Sequence, residues 1–402
     1  METLEPQGLH DQVELHSDRP VRTPAFRIPF LRVDLGPEAL AGIADSLRSG
    51  QLAGNGPQTA SVHSILREIF PGSRPLLTHS CTAALEMAAL LLDLQAGDEV
   101  IMPSWTFPST ANAVVLRGAT PVFIDVERAT LNITADRVED AITDRTRAVI
   151  CVHYAGVACD MTALVAVCAR YCIALVEDAA QAIEANWLGT PLGSFGDFGA
   201  ISFHGTKNVG CGEGGVLLVN RAEAIARAEM VWEKGTNRAS FERGEVNRYE
   251  WKTVGSSYLP SEITAALLAS QLRRRCGTTS DRILCWERYD IALRAAGLDE
   301  ELMLPVVPVG AGFNGHNYFI RTKNRAVRDD LRLGLHAAGI EALTHYVPLH
   351  SAPAGLRYGS SSGDFTHTDA ANATLLRLPI NASITLEDQQ NVVTAIARIV
   401  RN

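Results

Sequence analysis

The stretch Ser202-Phe203-His204-Gly205-Thr206-Lys207-Asn208 sets one lysine between a short apolar run and the glycine cluster Gly210-Cys211-Gly212-Glu213-Gly214-Gly215. Upstream, Val176-Glu177-Asp178-Ala179-Ala180-Gln181 ends an apolar run on acidic residues. A lysine amine can hold an aldehyde as a Schiff base, and an ionised carboxylate keeps a pyridine nitrogen protonated. Together they form the two halves of a pyridoxal phosphate (PLP) site, where the ring is the electron sink and the protein positions and tunes it. The reading is therefore an enzyme.

Each task asks for a different residue type. Lys207 has to lose its proton part of the time, which burial and a nearby cation achieve by lowering its pKa. Asp178 would face the ring nitrogen; the competing reading is an aspartate capping a helix after a strand. Gln181, three residues on, could hydrogen-bond the ring hydroxyl, or be an ordinary helix-surface amide. The phosphate asks for N–H groups and hydroxyls at a helix N-terminus. Ser80-Cys81-Thr82-Ala83-Ala84 supplies these ahead of an apolar helix, although a serine or threonine there is also simply a good N-cap. Ser202 adds a hydroxyl near the lysine. Phe107, in Pro103-Ser104-Trp105-Thr106-Phe107-Pro108, presents a face to stack on the ring, against the alternative of core packing.

Other motifs are weaker. The glycines around Glu213 match neither the G-x-G-x-x-G dinucleotide fingerprint nor a phosphate loop, and read as a tight turn after the lysine. His345-Tyr346-Val347-Pro348-Leu349-His350 could be a metal pair but reads better as a substrate-facing or interface loop. The eight cysteines show no paired zinc spacing; Cys168 and Cys172 share a helix face without a second pair. No metal is expected, and a reducing cytoplasm fits.

The elements that must position these groups follow from the apolar pattern. A chain of 402 residues, 47% hydrophobic and 20% charged, is long enough for a large domain and a smaller one. Its net charge of −9, with no basic block, argues against a nucleic-acid surface. Residues 1–27 read as an acidic, mobile tail that is neither signal peptide nor anchor, and no apolar run is long enough to span a bilayer. Continuous apolar strands at 99–102, 121–126, 148–153, 173–177, 200–203 and 216–219 alternate with helices at 80–94, 109–116, 135–142 and 161–171. That alternation predicts an α/β fold with a mostly parallel sheet and ligands at the strands' C-terminal ends. Helices at 260–275, 281–296, 326–338 and 386–400 and a strand at 317–322 follow. The change of domain is placed near residue 270, giving a large PLP-binding domain at 28–270 and a small C-terminal α+β domain at 271–402. Residues 359–363 read as an exposed loop.

The blocks CTAALEMAALLLDLQAGDEVIMPSWTFPSTANA, VHYAGVACDM, VEDAAQ, SFHGTKN, GEGG, EKGTNR, GSSYLPSEITAA and HYVPLHSAPAG resemble the DegT/DnrJ/StrS sugar aminotransferases, from about residue 28 to the C-terminus. The resemblance implies the aspartate aminotransferase fold (PLP fold type I). It also implies amination of a 4-keto-6-deoxy sugar nucleotide, dTDP-4-dehydro-6-deoxy-D-glucose, with L-glutamate as donor. By position it makes Lys207 the Schiff-base lysine, Asp178 the partner of the ring nitrogen and Gln181 a neighbour of the ring oxygen. Cys81, Thr82 and Ser202 fall around the phosphate, and Phe107 on the ring. Family members are homodimers or assemblies of dimers with shared sites, and many send an asparagine to the neighbouring phosphate. The matching stretch here, Gly255-Ser256-Ser257-Tyr258-Leu259, has none, leaving Ser257 or Tyr258 as candidates.

Rival readings are a PLP-dependent keto-sugar dehydratase, in which a histidine replaces the lysine, and a 3-aminotransferase of the same fold. A non-catalytic PLP-binding regulator would need a DNA-binding segment, which the acidic tail cannot supply. A nucleotide-cofactor oxidoreductase lacks its fingerprint.

Overall fold

The computed structural model describes residues 26–401. The acidic tail expected over 1–27 therefore lies almost wholly outside the described residues. Eight strands form the main sheet, in the spatial order Arg74–Thr78, Gly215–Val219, Phe198–Ser202, Ala174–Asp178, Thr146–Val152, Glu99–Pro103, Thr120–Ile124 and Ser360–Ser361. Only Gly215–Val219 runs against its neighbours; the other pairings are parallel. The continuous apolar strands are buried on both faces, one against the cluster containing Val149, Ile201 and Leu218, the other against that containing Ile150, Ala200 and Leu217.

Register sets the chemistry at one edge of this sheet. Asp178 and Ser202 are the last residues of adjacent parallel strands, and Ser202 and Thr78 both lie opposite Gly215. The segments leaving this edge carry Cys81, Phe107 and Lys207. This is the strand-end location where α/β sheets collect ligands.

Two sequence expectations change. The helices read at 260–275 and 281–296 are one helix, Glu262–Ala295, which also carries the chain unbroken across residue 270. Gly277-Thr278-Thr279-Ser280 has low helix propensity, but tertiary packing overrides it. The first half joins Leu268, Ala269 and Leu272 to the sheet's core, and the second puts Cys285, Tyr289 and Leu293 into a separate cluster. Glu262 anchors the start, accepting from the backbone N–H groups of Gly56 (3.0 Å), Gln58 (2.7 Å) and Thr59 (3.2 Å). The 359–363 loop is largely exposed as read, yet Ser360–Ser361 pairs with Thr120–Ile124 at the sheet edge.

Beyond the long helix, the strands Tyr318–Arg321 and Leu375–Leu378 pair antiparallel under the helices Arg325–Ala337 and Leu386–Val400. The start of the described chain closes on this unit: Ile28 bridges Ile340, so Phe30 arrives beside Arg377. Among the described residues no helix is long and apolar enough to cross a membrane.

Candidate active site

Lys207 stands in a loop folded back on itself. Gly205 N–H donates to Gly212 O (2.7 Å), Lys207 N–H to His204 O (2.9 Å) and Phe203 N–H to Gly214 O (2.8 Å). Gly212 has φ +89, which a side chain rarely adopts, so the turn read from these glycines is physically required there. The next residue ties the loop to the C-terminal unit: Asn208 Nδ2 donates to Asn314 O (2.8 Å) and its Oδ1 meets His316 Nδ1 (2.9 Å). Lys207 itself is half-buried. Desolvation holds its pKa below the usual lysine value; Cys81 and Asp178 oppose the shift, and Arg377 is the nearby cation that adds to it.

Asp178 is held at both oxygens. Thr110 Oγ1 donates to Oδ2 at 2.7 Å, and Ala180 N–H donates to Oδ1 at 3.2 Å. Because the Thr110 proton is committed, the 2.9 Å contact between the Thr106 and Thr110 hydroxyls has Thr106 as donor. Burial pushes the Asp178 carboxyl above the usual range, against Thr110, Ala180 and Lys207. Glu177, fully buried beneath it, accepts from the N–H groups of Gly193 (2.7 Å), Phe195 (2.6 Å) and Gly196 (2.8 Å). It also meets His153 Nε2 at 3.0 Å.

The remaining predicted residues line the same cavity, about 710 Å³ in volume, with Lys207 and Asp178: Cys81, Thr82, Phe107, Gln181 and Ser202. The helix Cys81–Leu91 begins at the rim, capped by Ser80 Oγ, which accepts from Ala83 N–H (3.1 Å). With Ala83 and Ala84 N–H taken by Ser80, the Cys81 and Thr82 amides are the first-turn donors left to a ligand. Thr82 Oγ1 lies 2.7 Å from Ser109 Oγ, and Ser202 Oγ accepts from His204 N–H (3.3 Å). Gln181 is buried, not a surface amide: its Oε1 accepts from Ala155 N–H (2.7 Å) and its Nε2 donates to Tyr346 OH (2.9 Å). Phe107 is 58% exposed at the rim and so is not core packing.

The His345/His350 pair does not converge. His345 Nδ1 meets Tyr154 OH (2.8 Å), with its ring stacked on Tyr346, whereas His350 Nδ1 meets Ser104 Oγ (2.7 Å). Cys151, His153 and Cys159 do bring buried ligand atoms within 4.8 Å of one another. Both His153 nitrogens are already engaged, by Glu177 and by Cys159 N–H (3.3 Å). Thr110, Tyr346, Phe30, Asn317 and Arg377 were not singled out as site residues from the sequence, although Thr110 and Tyr346 lay within quoted blocks.

This set suits the cofactor read from the sequence. A carboxylate raised by burial despite two hydrogen bonds is short of positive charge, which a protonated ring nitrogen supplies. The far wall presents the free amides and hydroxyls that a phosphate needs.

The model of the DegT/DnrJ/EryC1/StrS aminotransferase family matches residues 33–397. DesV from S. venezuelae, solved in complex with a ketimine intermediate, is 31% identical, with a TM-score of 0.85 over 94% of this chain and 99% of that one. The aminotransferase TlmJ from Streptoalloteichus hindustanus is 30% identical, with a TM-score of 0.85 over 93% of this chain and 99% of that one. Spr1654 from Streptococcus pneumoniae, in its PLP form, is 25% identical, with a TM-score of 0.84 over 93% and 98%. The chain belongs to the DegT/DnrJ/EryC1/StrS family and is a PLP-dependent aminotransferase.

Proposed function

We propose that this aminotransferase acts on a 4-keto-6-deoxy sugar nucleotide, dTDP-4-dehydro-6-deoxy-D-glucose, giving the 4-amino sugar with L-glutamate as amino donor. We place it in the cytoplasm, as a homodimer. The observation that carries the reading is the meeting, in one cavity, of an amine with a depressed pKa and a buried carboxylate held at both oxygens. The name of Spr1654 as a sugar aminotransferase supports the sugar class, and a cavity of about 710 Å³ leaves room beyond a pyridine ring.

When bound, PLP supplies the electron sink and carries the amino group between substrates. Asp178 would hold the ring nitrogen, with Thr110 and Ala180 fixing its oxygens. Cys81, Thr82, Ser202 and the free amides of Cys81 and Thr82 would hold the phosphate, with Phe107 available to the ring face and Gln181 to the ring oxygen. Lys207 Nζ takes up the proton released at the donor's α-carbon and, in the second half, returns one at the sugar carbon that receives nitrogen. Its lowered pKa keeps a share of the amine neutral for this work.

The test is incubation with L-glutamate and a panel of 4-keto and 3-keto sugar nucleotides. A 4-amino product and parallel initial-rate lines are expected. Amination at C3 alone, or loss of water without amine transfer, would replace the reading by the 3-aminotransferase or the dehydratase. Lys207→Ala should lose the visible absorbance band and about 10²- to 10⁴-fold in turnover, the usual weight of a positioned acid–base group; normal activity would remove Lys207 from the mechanism.

A further inference from the structure

His316 is buried in the cavity wall just before the Tyr318–Arg321 strand, and the protein holds all its polar atoms but one. Its backbone N–H donates to Asn314 Oδ1 (3.0 Å), and its carbonyl accepts from Arg282 Nη2 (2.7 Å). Asn208 fixes the ring. Asn208 Nδ2 donates to Asn314 O (2.8 Å), a carbonyl that can only accept, so Oδ1 is the atom turned to His316 Nδ1 at 2.9 Å. That oxygen also only accepts, so Nδ1 carries the imidazole proton and Nε2 keeps its lone pair. Among the described residues no protein group donates to Nε2. Burial holds the ring's pKa well below its usual value, with Lys207, Arg282, His345 and Arg377 adding to the effect, so the imidazole is neutral.

A neutral lone pair aimed into a cavity asks for a hydrogen-bond donor, and the two substrates differ in what they bring. An amino donor's carboxylates only accept, and its amine is the group that is transferred. A keto sugar brings hydroxyls, the nearest of them on the carbon beside the ketone. Lys207 and His316 line one cavity, and the lysine's charge is felt at the imidazole. A sugar whose reacting carbon lies at Lys207 therefore carries that hydroxyl toward His316. We propose that His316 Nε2 accepts a hydrogen bond from the sugar hydroxyl on the carbon next to the one that receives nitrogen, and that it selects hydroxylated over deoxygenated sugars at that position. Asn208, the residue after Lys207, is the positioning residue, because the tautomer it fixes is the one that can accept. The proposal rests on the keto-sugar reading above.

The test uses the PLP-loaded protein, with L-glutamate as donor. dTDP-4-dehydro-6-deoxy-D-glucose is compared with its 3-deoxy analogue by kcat/KM for the amino sugar formed. The wild type should favour the hydroxylated sugar by about 10- to 100-fold, the weight of a buried acceptor left unpaired. In His316→Leu the preference should shrink to within about threefold, and His316→Gln, whose side-chain oxygen can also accept, should restore part of it. A purely structural loss would slow both sugars alike and leave their ratio intact. Asn208→Leu keeps His316 but frees its proton to move to Nε2; it should cut the preference at least about threefold, and it carries the test if His316→Leu fails to fold. A wild type indifferent to the hydroxyl, or a preference undiminished in these variants, overturns the proposal. If only a 3-keto sugar nucleotide is aminated, the comparison is made with analogues lacking the hydroxyl at C2 or C4. A preference that depends on His316 there keeps the subsite and drops the 4-keto reading. If no keto sugar is aminated, both fall.

Discussion

Thr110 governs how Asp178 behaves. It supplies the 2.7 Å hydrogen bond to Oδ2 and works against the burial that raises the carboxyl's pKa. Thr110→Val keeps the side chain's shape but strips the donor, leaving a buried oxygen short of a partner at about 1–3 kcal/mol. The Asp178 pKa then rises further. Because the ionised form is the one needed at the ring nitrogen, the acid limb of the kcat–pH profile should move to higher pH; an unmoved limb would sink the role given to Asp178. Lys207 and Asp178 were legible in the sequence because their types and flanking motifs are rare together. Thr110 was not, since its link to Asp178 spans 68 positions and a threonine early in a helix carries no signature of its own. Arg377 was hidden in the same way: its surroundings come from Phe30 and from Thr344, which only the fold brings together.

Among elements, the sharpest constraint is the approach of the Gly215–Val219 strand to the Cys81–Leu91 helix. A Cβ on Gly215 would lie 2.4 Å from both Cys81 N and Ser80 C, backbone atoms that cannot swing aside. Gly215→Ala must therefore push the helix start off the sheet edge, costing about 1–3 kcal/mol and weakening PLP retention. Thermal melting and PLP release measure the two effects, and a variant unchanged in both would refute the close approach. Another joint ties the helix Pro57–Ile69 to the strand Arg74–Thr78: His63 Nε2 accepts from Leu77 N–H at 2.9 Å. Burial, helped by Arg74 and Arg67, pulls the His63 pKa down to about 3 from 6.5. Between those values the unfolded chain binds more protons, so stability is fully present above pH 6.5 and falls as pH drops toward 3, by a few kcal/mol on the order of the shift. His63→Gln accepts the same N–H without titrating, so urea midpoints at pH 7 and pH 4 should differ less than in the wild type; an equal difference would rule this out. The doubly buried strands could be read because their apolar runs are uninterrupted. The helices Glu38–Ser49 and Pro57–Ile69 escaped notice, since the first keeps Leu40 and Leu47 exposed and so shows no clean apolar face to the core.

At the scale of the whole molecule, one surface lacks a partner. Trp251 is 78% exposed, and Tyr249 and Val254 are exposed beside it in sequence. They lead into 255–259, where Tyr258 O accepts from His79 N–H (2.9 Å) two residues before the helix start proposed to hold the phosphate. Leu52 is also exposed, and its O takes the N–H of Glu262 (3.0 Å), three residues beyond that stretch. Large apolar side chains exposed this close together in the chain suit an association surface, in keeping with the proposed homodimer. Of the two residues standing where many relatives have an asparagine, Tyr258 is buried in its own subunit and Ser257 is exposed, so Ser257 is the one free to reach across. Light scattering should give twice the 43.3 kDa chain mass for the wild type and the single-chain mass for Trp251→Glu/Val254→Glu. If the proposed site is shared, the monomer should also release PLP more readily, because part of each phosphate site would leave with the partner. Ser257→Ala should stay dimeric yet lose PLP about 2- to 10-fold faster, the weight of one hydrogen bond. A monomeric wild type would remove the shared site altogether. A dimeric Ser257→Ala protein that holds PLP normally would keep the assembly but assign the crossing group to another residue.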